Sequence, residues 1–164
     1  GAAILMRAVL AAHGVTDRRV FVADSFKGLP EADAARFPAD AGSHYHTLKF
    51  LAVSRREVEE NFEKYGLLDS QVVFLEGWFK ETLPRAPVER LAVLRLDGDM
   101  YESTAVALEH LYPKLSPGGF CIVDDYGLEG CRRAVDDYRE RQRIDCPVVP
   151  VDRTRVYWRK PAAA

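Results

Sequence analysis

Residues 91–104 read LAVLRLDGDMYEST and join a predicted strand to the start of a predicted helix. Its first six residues, Leu91–Leu96, are almost continuously apolar, which is typical of a strand buried on both faces of a parallel sheet. An acid, Asp97, follows the strand at once, and the spacing of apolar residues predicts a helix over residues 103–115. A buried strand, an acidic turn and a helix, in that order, form the repeating unit of an α/β fold.

Strands and helices alternate on both sides of this stretch. Apolar and β-branched runs predict strands at 19–24, 71–75, 120–123, 148–151 and 156–158, and helical spacing predicts helices at 4–12, 55–65 and 129–144. Ser54 and Glu57 have the spacing of a capping box before the second of these helices. The last two strands are too close for a crossover helix, so they are predicted to be antiparallel. We therefore expect one domain over residues 1–160 with a mainly parallel sheet, and a tail at 161–164.

The composition excludes several classes of protein. With 164 residues, of which 48% are hydrophobic and 29% charged, the chain is typical of one globular domain. Its 23 Lys+Arg against 25 Asp+Glu leave no basic excess, so no nucleic-acid partner is predicted. No membrane association is predicted either, because no apolar run reaches the roughly 20 residues of a membrane span. Three cysteines without C-x-x-C spacing indicate reduced thiols and a cytoplasmic location. The composition leaves homo-oligomer formation open.

Three predicted strands end in acidic residues. Asp24, Asp97 and the Asp124-Asp125 pair each follow a strand, and ligands of parallel sheets bind beyond the carboxyl ends of the strands. Asp24 is a candidate to hold ribose hydroxyls, which is the role of a strand-end acid in dinucleotide-type sites. The other three carboxylates are candidates to share a hard divalent cation, because all-oxygen ligation suits Mg²⁺, Ca²⁺ or Mn²⁺ and poorly suits zinc.

Each of these acids also has a purely structural interpretation. Acids at strand ends often cap the following helix or accept hydrogen bonds from loop amides. Asp99 and Ser103 are the candidate caps for the helix predicted at 103–115. The long irregular segment at 25–54 carries His44 and His46, which either contact a substrate or lie in solvent.

Three motifs resemble one enzyme family. LRLDGDMYEST (94–104), GGFCIVDDYG (118–127) and VFVADSFKGLP (20–30) resemble the TylF-type sugar O-methyltransferases, which include macrocin O-methyltransferase and noviose-methylating enzymes of antibiotic biosynthesis. The resemblance covers essentially the whole chain. It implies a class I methyltransferase fold, which is an α/β, Rossmann-like sheet of strand order 3-2-1-4-5-7-6 with an antiparallel last strand. It also implies transfer of a methyl group from S-adenosylmethionine to a sugar hydroxyl of a small-molecule glycoside of the antibiotic or natural-product type.

The resemblance also assigns roles to individual residues. It implies that a divalent cation, usually Mg²⁺, is held by Asp97, Asp124 and Asp125, and that Asp97 is the catalytic base. It places Asp24 at the cofactor ribose and the segment Glu76-Gly77-Trp78 against the adenine. The candidate cofactor-binding residues are therefore Asp24, Ser25, Phe26, Gly77, Trp78 and Asp97. For Phe26 and Trp78, packing within the domain is the alternative role.

The start of the chain departs from the family pattern. Enzymes of this family begin their core with a central strand and a glycine-rich turn resembling E-x-G-x-x-x-G-G, whereas here Gly1 is followed directly by a helix. We therefore predict that the six strands of this chain are the second to the seventh, and that the chain is a fragment of a longer protein. Two alternative functions remain. One is a metal-dependent glycosyltransferase that uses Asp97-Gly98-Asp99 on a nucleotide-sugar, and the other is an inactive truncated domain.

Overall fold

The computed structural model describes residues 1–162, so the predicted tail at 161–164 lies partly outside the described residues. The chain forms two compact units. The first unit comprises Gly1–Pro30 and Tyr45–Thr82, and the second comprises Glu31–His44 and the chain from Leu83 onward. Each unit combines strands with helices, which confirms the predicted α/β class.

The first unit contains a two-stranded parallel sheet. Its elements are helix α1 (Ala2–Ala12), strand β1 (Val20–Asp24), helix α2 (Arg55–Glu63), strand β2 (Val72–Glu76) and the short helix α3 (Phe79–Thr82). The register pairs Val20 with Val72 at one end of the sheet and Asp24 with Glu76 at the other. The two acids therefore lie side by side at the carboxyl edge.

The start of helix α2 confirms the predicted capping box. The side chain of Ser54 accepts a hydrogen bond from the Glu57 N–H, and the Glu57 carboxylate accepts one from the Ser54 N–H at 2.9 Å. These two bonds satisfy amide donors that the first turn of a helix leaves without partners. The fully buried ring of Phe62, on α2, packs edge-on against Phe74 of β2 at 6.2 Å.

The second unit contains a four-stranded mixed sheet. Its elements are β3 (Leu91–Leu96), α4 (Tyr101–Leu111), β4 (Leu115–Val123), α5 (Glu129–Arg141), β5 (Val149–Pro150) and β6 (Val156–Arg159). The strand order is β3-β4-β6-β5, with β3 parallel to β4 and β6 antiparallel to both of its neighbours. The antiparallel closing pair is thus confirmed. If β1 to β6 are counted as the second to the seventh strand, the two sheets read 2-3 and 4-5-7-6, which are the neighbour relations of the predicted order.

The core of the second unit lies on one face of its sheet. Alternate residues of β3, β4 and β6 are buried, among them Leu94, Cys121 and Trp158. Trp158 is fully buried, and its indole N–H donates a hydrogen bond to the Tyr112 hydroxyl at 3.2 Å. The pattern of α5 is also as expected, because its inward residues Cys131, Ala134, Val135 and Tyr138 are all buried.

The prediction that the strand at 91–96 is buried on both faces is wrong. On the face of the sheet opposite the core, Val93 of β3 lies beside its partner Phe120 of β4. Both residues are 39% exposed. The apolar residues of β3 therefore face the core on one side of the sheet and are partly exposed on the other side. An apolar run reports the hydrophobicity of both faces, but it does not report what covers each of them.

Two element boundaries also differ from the prediction. Helix α4 begins at Tyr101 and ends at Leu111, where Pro113 supplies no N–H to continue it. Strand β4 begins at Leu115, five residues before the predicted strand. The predicted Pro117-Gly118-Gly119 turn is a bulge inside this strand, since Leu91 pairs with Leu115 but Val93 pairs with Phe120.

Within residues 1–162, no helix is both long enough and apolar enough to cross a membrane. The longest of these helices, α5, has 13 residues, which corresponds to roughly 20 Å of the roughly 30 Å of a bilayer core. Cys121, Cys131 and Cys146 are free thiols, as the cysteine pattern predicts.

Candidate active site

In the first unit, the residues after β1 form a tight polar turn. The Asp24 carboxylate accepts a hydrogen bond from the Phe26 N–H at 2.7 Å, and Phe26 has a left-handed φ of 55°. The buried Ser25 hydroxyl donates to the Gly28 carbonyl at 2.7 Å and accepts from the Lys27 N–H at 3.0 Å. Asp24 itself is exposed, so the turn presents a carboxylate at the edge of the sheet.

Phe26 is buried beneath this turn rather than displayed by it. Its side chain is 9% exposed, and its ring lies 6.1 Å from the ring of Phe74. This packing favours the alternative in which Phe26 anchors the loop. A non-glycine residue at positive φ is strained, so the packing also explains how the turn is held in place.

The turn after β2 lies directly beside the turn after β1. The Gly77 N–H donates to the Asp24 carbonyl at 2.9 Å. Gly77 has a φ of 140°, and a Cβ at this position would lie 2.8 Å from Cγ2 of Thr82, so a larger residue is excluded. The Trp78 carbonyl accepts hydrogen bonds from the Glu81 and Thr82 N–H groups at 2.9 and 3.0 Å, which starts α3. Five predicted cofactor residues (Asp24, Ser25, Phe26, Gly77 and Trp78) therefore share one edge of the first unit.

In the second unit, an arginine connects two of the predicted metal ligands. Arg95, on β3, donates from Nη1 to Asp97 at 2.8 Å and from Nη2 to Asp124 at the end of β4. Nε of Arg155 lies 3.5 Å from the same Asp124 carboxylate. The Asp97 side chain is 52% exposed and the Asp124 side chain is 14% exposed. Guanidinium groups thus hold Asp97 and Asp124 at the carboxyl edge of β3 and β4.

The third predicted ligand, Asp125, faces another acid. The Asp99 N–H donates to the Asp125 carboxylate at 3.2 Å. Burial, and then the nearby charge of Asp99, raise the pKa of Asp125 to about 6. Burial and the charge of Asp97 also raise the pKa of Asp99 above its usual value. Asp125 therefore titrates near pH 6, where a surface aspartate would already be fully ionised.

The predicted magnesium site is not confirmed by this arrangement. Within residues 1–162, no group of three or more His, Cys, Asp and Glu side chains is placed to hold a metal ion. The carboxylate oxygens suit Mg²⁺ chemically, but Asp97 and Asp124 share Arg95, while Asp125 accepts the Asp99 amide. As placed here, Asp97, Asp124 and Asp125 do not fit a divalent cation without displacing the guanidinium group.

Neither candidate cap for α4 is correct. Asp99 precedes the helix in a left-handed conformation with a φ of 55°, and Ser103 lies inside the helix. Instead Asp40, in the 31–44 segment, accepts the Tyr101 N–H at 2.7 Å and the Glu102 N–H at 3.0 Å. Asp40 was not predicted from the sequence, because a contact across about 60 residues leaves no local spacing to detect. The two loop histidines, His44 and His46, are exposed.

Comparisons with known proteins agree on one family. The family model for macrocin O-methyltransferase (TylF) matches residues 1–160. An enzyme of Streptomyces olivaceus, 8-demethyl-8-(2,3-dimethoxy-α-L-rhamnosyl)-tetracenomycin-C 4'-O-methyltransferase, is 58% identical over 100% of this chain and 63% of its own length. The mycinamicin III 3''-O-methyltransferase of Micromonospora griseorubida is 52% identical over 99% of this chain and 65% of its own length. The chain thus spans less than two thirds of the length of either relative.

A solved structure agrees with the sequence comparisons. The O-methyltransferase NovP superimposes with a TM-score of 0.95 at 51% identity, over 98% of this chain and 67% of NovP. Together with the strand order, this similarity shows that the chain has the class I methyltransferase fold.

Proposed function

The chain belongs to the macrocin O-methyltransferase (TylF) family, and from this membership we propose that the protein transfers a methyl group from S-adenosylmethionine to a sugar hydroxyl of a small-molecule glycoside. The family match over residues 1–160, a range that includes Asp24, Asp97 and the Asp124-Asp125 pair, supports this activity. The enzymes named as relatives methylate glycosides of antibiotic type, and we extend that substrate class to this protein. The proposal treats residues 1–160 as one methyltransferase domain.

The carboxyl edge of β1 and β2 is the proposed cofactor edge. Asp24 is exposed there and is oriented by the Phe26 N–H, so it can accept hydrogen bonds from two vicinal ribose hydroxyls. Gly77 lets the turn after β2 pack against Thr82, because a Cβ would lie 2.8 Å from Cγ2 of that residue. Trp78 is half-buried beside it and offers an aromatic face for stacking. Ser25 supports this edge by holding the turn after β1.

The carboxyl edge of β3 is the proposed acceptor edge, with Asp97 as the base. When bound, S-adenosylmethionine supplies a methyl group activated by a positively charged sulfur, so the protein must position the acceptor and remove its proton. The acceptor oxygen forms a bond to the methyl carbon as the carbon–sulfur bond breaks, and the hydroxyl proton passes to the Asp97 carboxylate. Asp97 suits this role because it is half-exposed and is oriented by Arg95 at 2.8 Å.

A methyl-transfer assay tests the proposal. The purified protein is incubated with methyl-labelled S-adenosylmethionine and with mycinamicin III or 8-demethyl-8-(2,3-dimethoxy-α-L-rhamnosyl)-tetracenomycin C as acceptor. We expect label in the glycoside and one equivalent of S-adenosylhomocysteine, with saturable S-adenosylhomocysteine binding by calorimetry. Under the glycosyltransferase alternative, the same acceptors would instead gain a sugar from a nucleotide-sugar. Folded protein that neither binds S-adenosylhomocysteine nor methylates any glycoside contradicts the proposal.

The family resemblance implies a divalent cation, and binding it at Asp97 and Asp124 requires displacement of the Arg95 guanidinium group. On that basis we expect excess EDTA, or the change Asp124→Ala, to abolish turnover, with Mg²⁺ restoring the chelated wild-type enzyme. S-adenosylhomocysteine binding, measured in parallel, should survive chelation. Full activity in excess chelator would leave Arg95 and Arg155 as the positive charges that balance these acids.

A further inference from the structure

Asp40 is a buried carboxylate whose two oxygens both serve helix α4. The residue is only 3% exposed. One oxygen accepts the Tyr101 N–H at 2.7 Å and the other accepts the Glu102 N–H at 3.0 Å. The residue before the helix, Met100, provides no side-chain cap. A carboxylate at the N-terminus of a helix also interacts favourably with the helix dipole. The cap of α4 thus comes from a distant loop and not from the residue before the helix.

The surroundings of Asp40 are built to admit this contact. A Cβ on Gly130, at the start of α5, would lie 2.9 Å from the Asp40 carboxylate and 3.2 Å from the Tyr101 nitrogen. The ring of Phe37, three residues before Asp40, packs on the Tyr101 ring at 5.9 Å, and the Tyr101 hydroxyl donates to Asp137 at 3.0 Å. Two helices and the loop therefore meet around one carboxylate.

The capped helix begins directly after the turn that carries Asp97. That turn is held by the bond from the Asp99 N–H to Asp125 at 3.2 Å and by the Arg95 side chain, which donates to Asp97 at 2.8 Å. Asp40 holds the first two residues of α4, Tyr101 and Glu102, through their backbone N–H groups. A serine or threonine before the helix would cap it without help from elsewhere. Here the start of α4 instead depends on the 31–44 loop being in place.

We propose that Asp40 is a positioning residue for methyl transfer: by capping α4 it couples the 31–44 loop to the turn that holds Asp97 in reacting position. The inference rests on the proposed function, in which Asp97 removes the acceptor proton. Reaction rates are sensitive to misplacement of a reacting group by about 1 Å, so loss of the cap should lower kcat roughly ten- to hundredfold.

The test compares Asp40→Ala and Asp40→Asn with Asp33→Asn as the matched control. Asp33 lies in the same loop, and its exposed carboxylate accepts the Arg36 N–H of a local turn at 3.1 Å. Turnover is measured with mycinamicin III and with 8-demethyl-8-(2,3-dimethoxy-α-L-rhamnosyl)-tetracenomycin C, well below the melting temperature of each variant. We expect Asp40→Ala to lose kcat with a smaller change in the acceptor KM, Asp40→Asn to recover part of it through its remaining acceptor oxygen, and Asp33→Asn to match the parent.

Gly130→Ala provides a second route to the same disturbance. The methyl group of alanine displaces the Asp40 carboxylate, and the higher helix propensity of alanine offsets part of the cost of that clash. We expect a similar loss of kcat, and we expect the double variant with Asp40→Ala to be no slower than the slower single variant. Amide hydrogen exchange at Tyr101 and Glu102 should be faster in both single variants.

The outcomes separate the positioning role from the proposed function. If the parent enzyme methylates neither acceptor and does not bind S-adenosylhomocysteine, the proposed function fails, and with it the role of Asp40. If the parent is active and fully folded Asp40→Ala keeps its kcat, only the positioning role is overturned. A lower melting temperature with unchanged kcat also overturns the positioning role, because Asp40 would then act as a structural cap and nothing more.

Discussion

In each unit of the molecule an arginine bridges two carboxylates beside a strand end, and the two bridges differ in exposure. In the first unit, Arg55 binds Glu59 at 2.8 Å and Glu76 at 3.3 Å, and all three side chains are between 32% and 48% exposed. In the second unit, Arg95 is 25% exposed and binds Asp97 and Asp124, and the latter is 14% exposed.

The comparison separates a surface contact from a structural one. Exposed ion pairs contribute little to stability because water and salt screen them. Removing one partner of a less exposed pair leaves a charge with poor solvation. The Arg95 bridge also holds the residue proposed as the base, whereas the Arg55 bridge holds Glu76, the first residue of the segment expected to lie against the adenine. Two arginine bridges, each to a pair of carboxylates, are therefore expected to have different consequences for stability and activity.

The largest expected effect comes from replacing one acid at the proposed acceptor edge and one at the proposed cofactor edge. Asp97→Asn removes the proposed base, and general-base catalysis contributes roughly 10²- to 10⁴-fold, so kcat should fall by about that factor. Asp24→Asn should instead weaken S-adenosylhomocysteine binding and raise the KM of S-adenosylmethionine, with kcat at saturating cofactor changed much less. Steady-state kinetics and calorimetry on both variants measure the difference. Equal loss of kcat in both would erase the distinction between a cofactor edge and an acceptor edge.

The second test removes each bridging arginine. Arg95→Met should destabilise the protein by about 1–3 kcal/mol, between the values for exposed and buried pairs, because Asp124 keeps only the more distant Arg155. Arg55→Met, the matched control, should melt close to the parent. Denaturant titrations of the three proteins measure these changes. Equal stability of the two variants would mean that the Arg95 bridge is screened as fully as the Arg55 bridge.

The smallest expected effect is the pH dependence of Asp125. Its pKa is raised to about 6 in the folded protein, chiefly by burial, against ~3.9 for an unfolded aspartate. The folded protein therefore binds this proton more tightly than the unfolded chain does. The resulting contribution to stability is fully present below the unfolded pKa and is lost as the pH rises through about 6.

The change Asp125→Asn should remove this loss of stability at higher pH. At pH 8 it should stabilise the protein by about 1 kcal/mol, after a discount for the screening of a partly exposed group, and at pH 4 it should have little effect. The asparagine oxygen can still accept the Asp99 N–H, which preserves the local bond. Melts of both proteins between pH 4 and 8, with chelator present, give the comparison. A stability difference that does not vary with pH would contradict it.

Features encoded by neighbouring residues were predictable from the sequence. The alternation of strands and helices, the Ser54–Glu57 box and the antiparallel closing strands follow from local spacing, and the structure has all three. The strand-end position of Asp24 and Asp97 is equally local.

Features that depend on distant partners were not predictable. The cap from Asp40 joins residues about 60 positions apart, and the Arg95 bridge depends on Asp124 arriving from another strand. The exposure of Val93 depends on what covers a sheet face, which an apolar pattern does not record. The metal prediction assumed that three nearby carboxylates face one another, whereas a guanidinium group lies between two of them.

The placement of the two tryptophans has a spectroscopic consequence. Trp78 lies half-buried in the first unit and Trp158 lies fully buried in the second, so each unit carries its own fluorophore. With one tryptophan replaced by phenylalanine, the emission of the other follows its own unit alone. Coincident unfolding curves from the two single-tryptophan proteins would identify one cooperative transition, and separated curves would identify two.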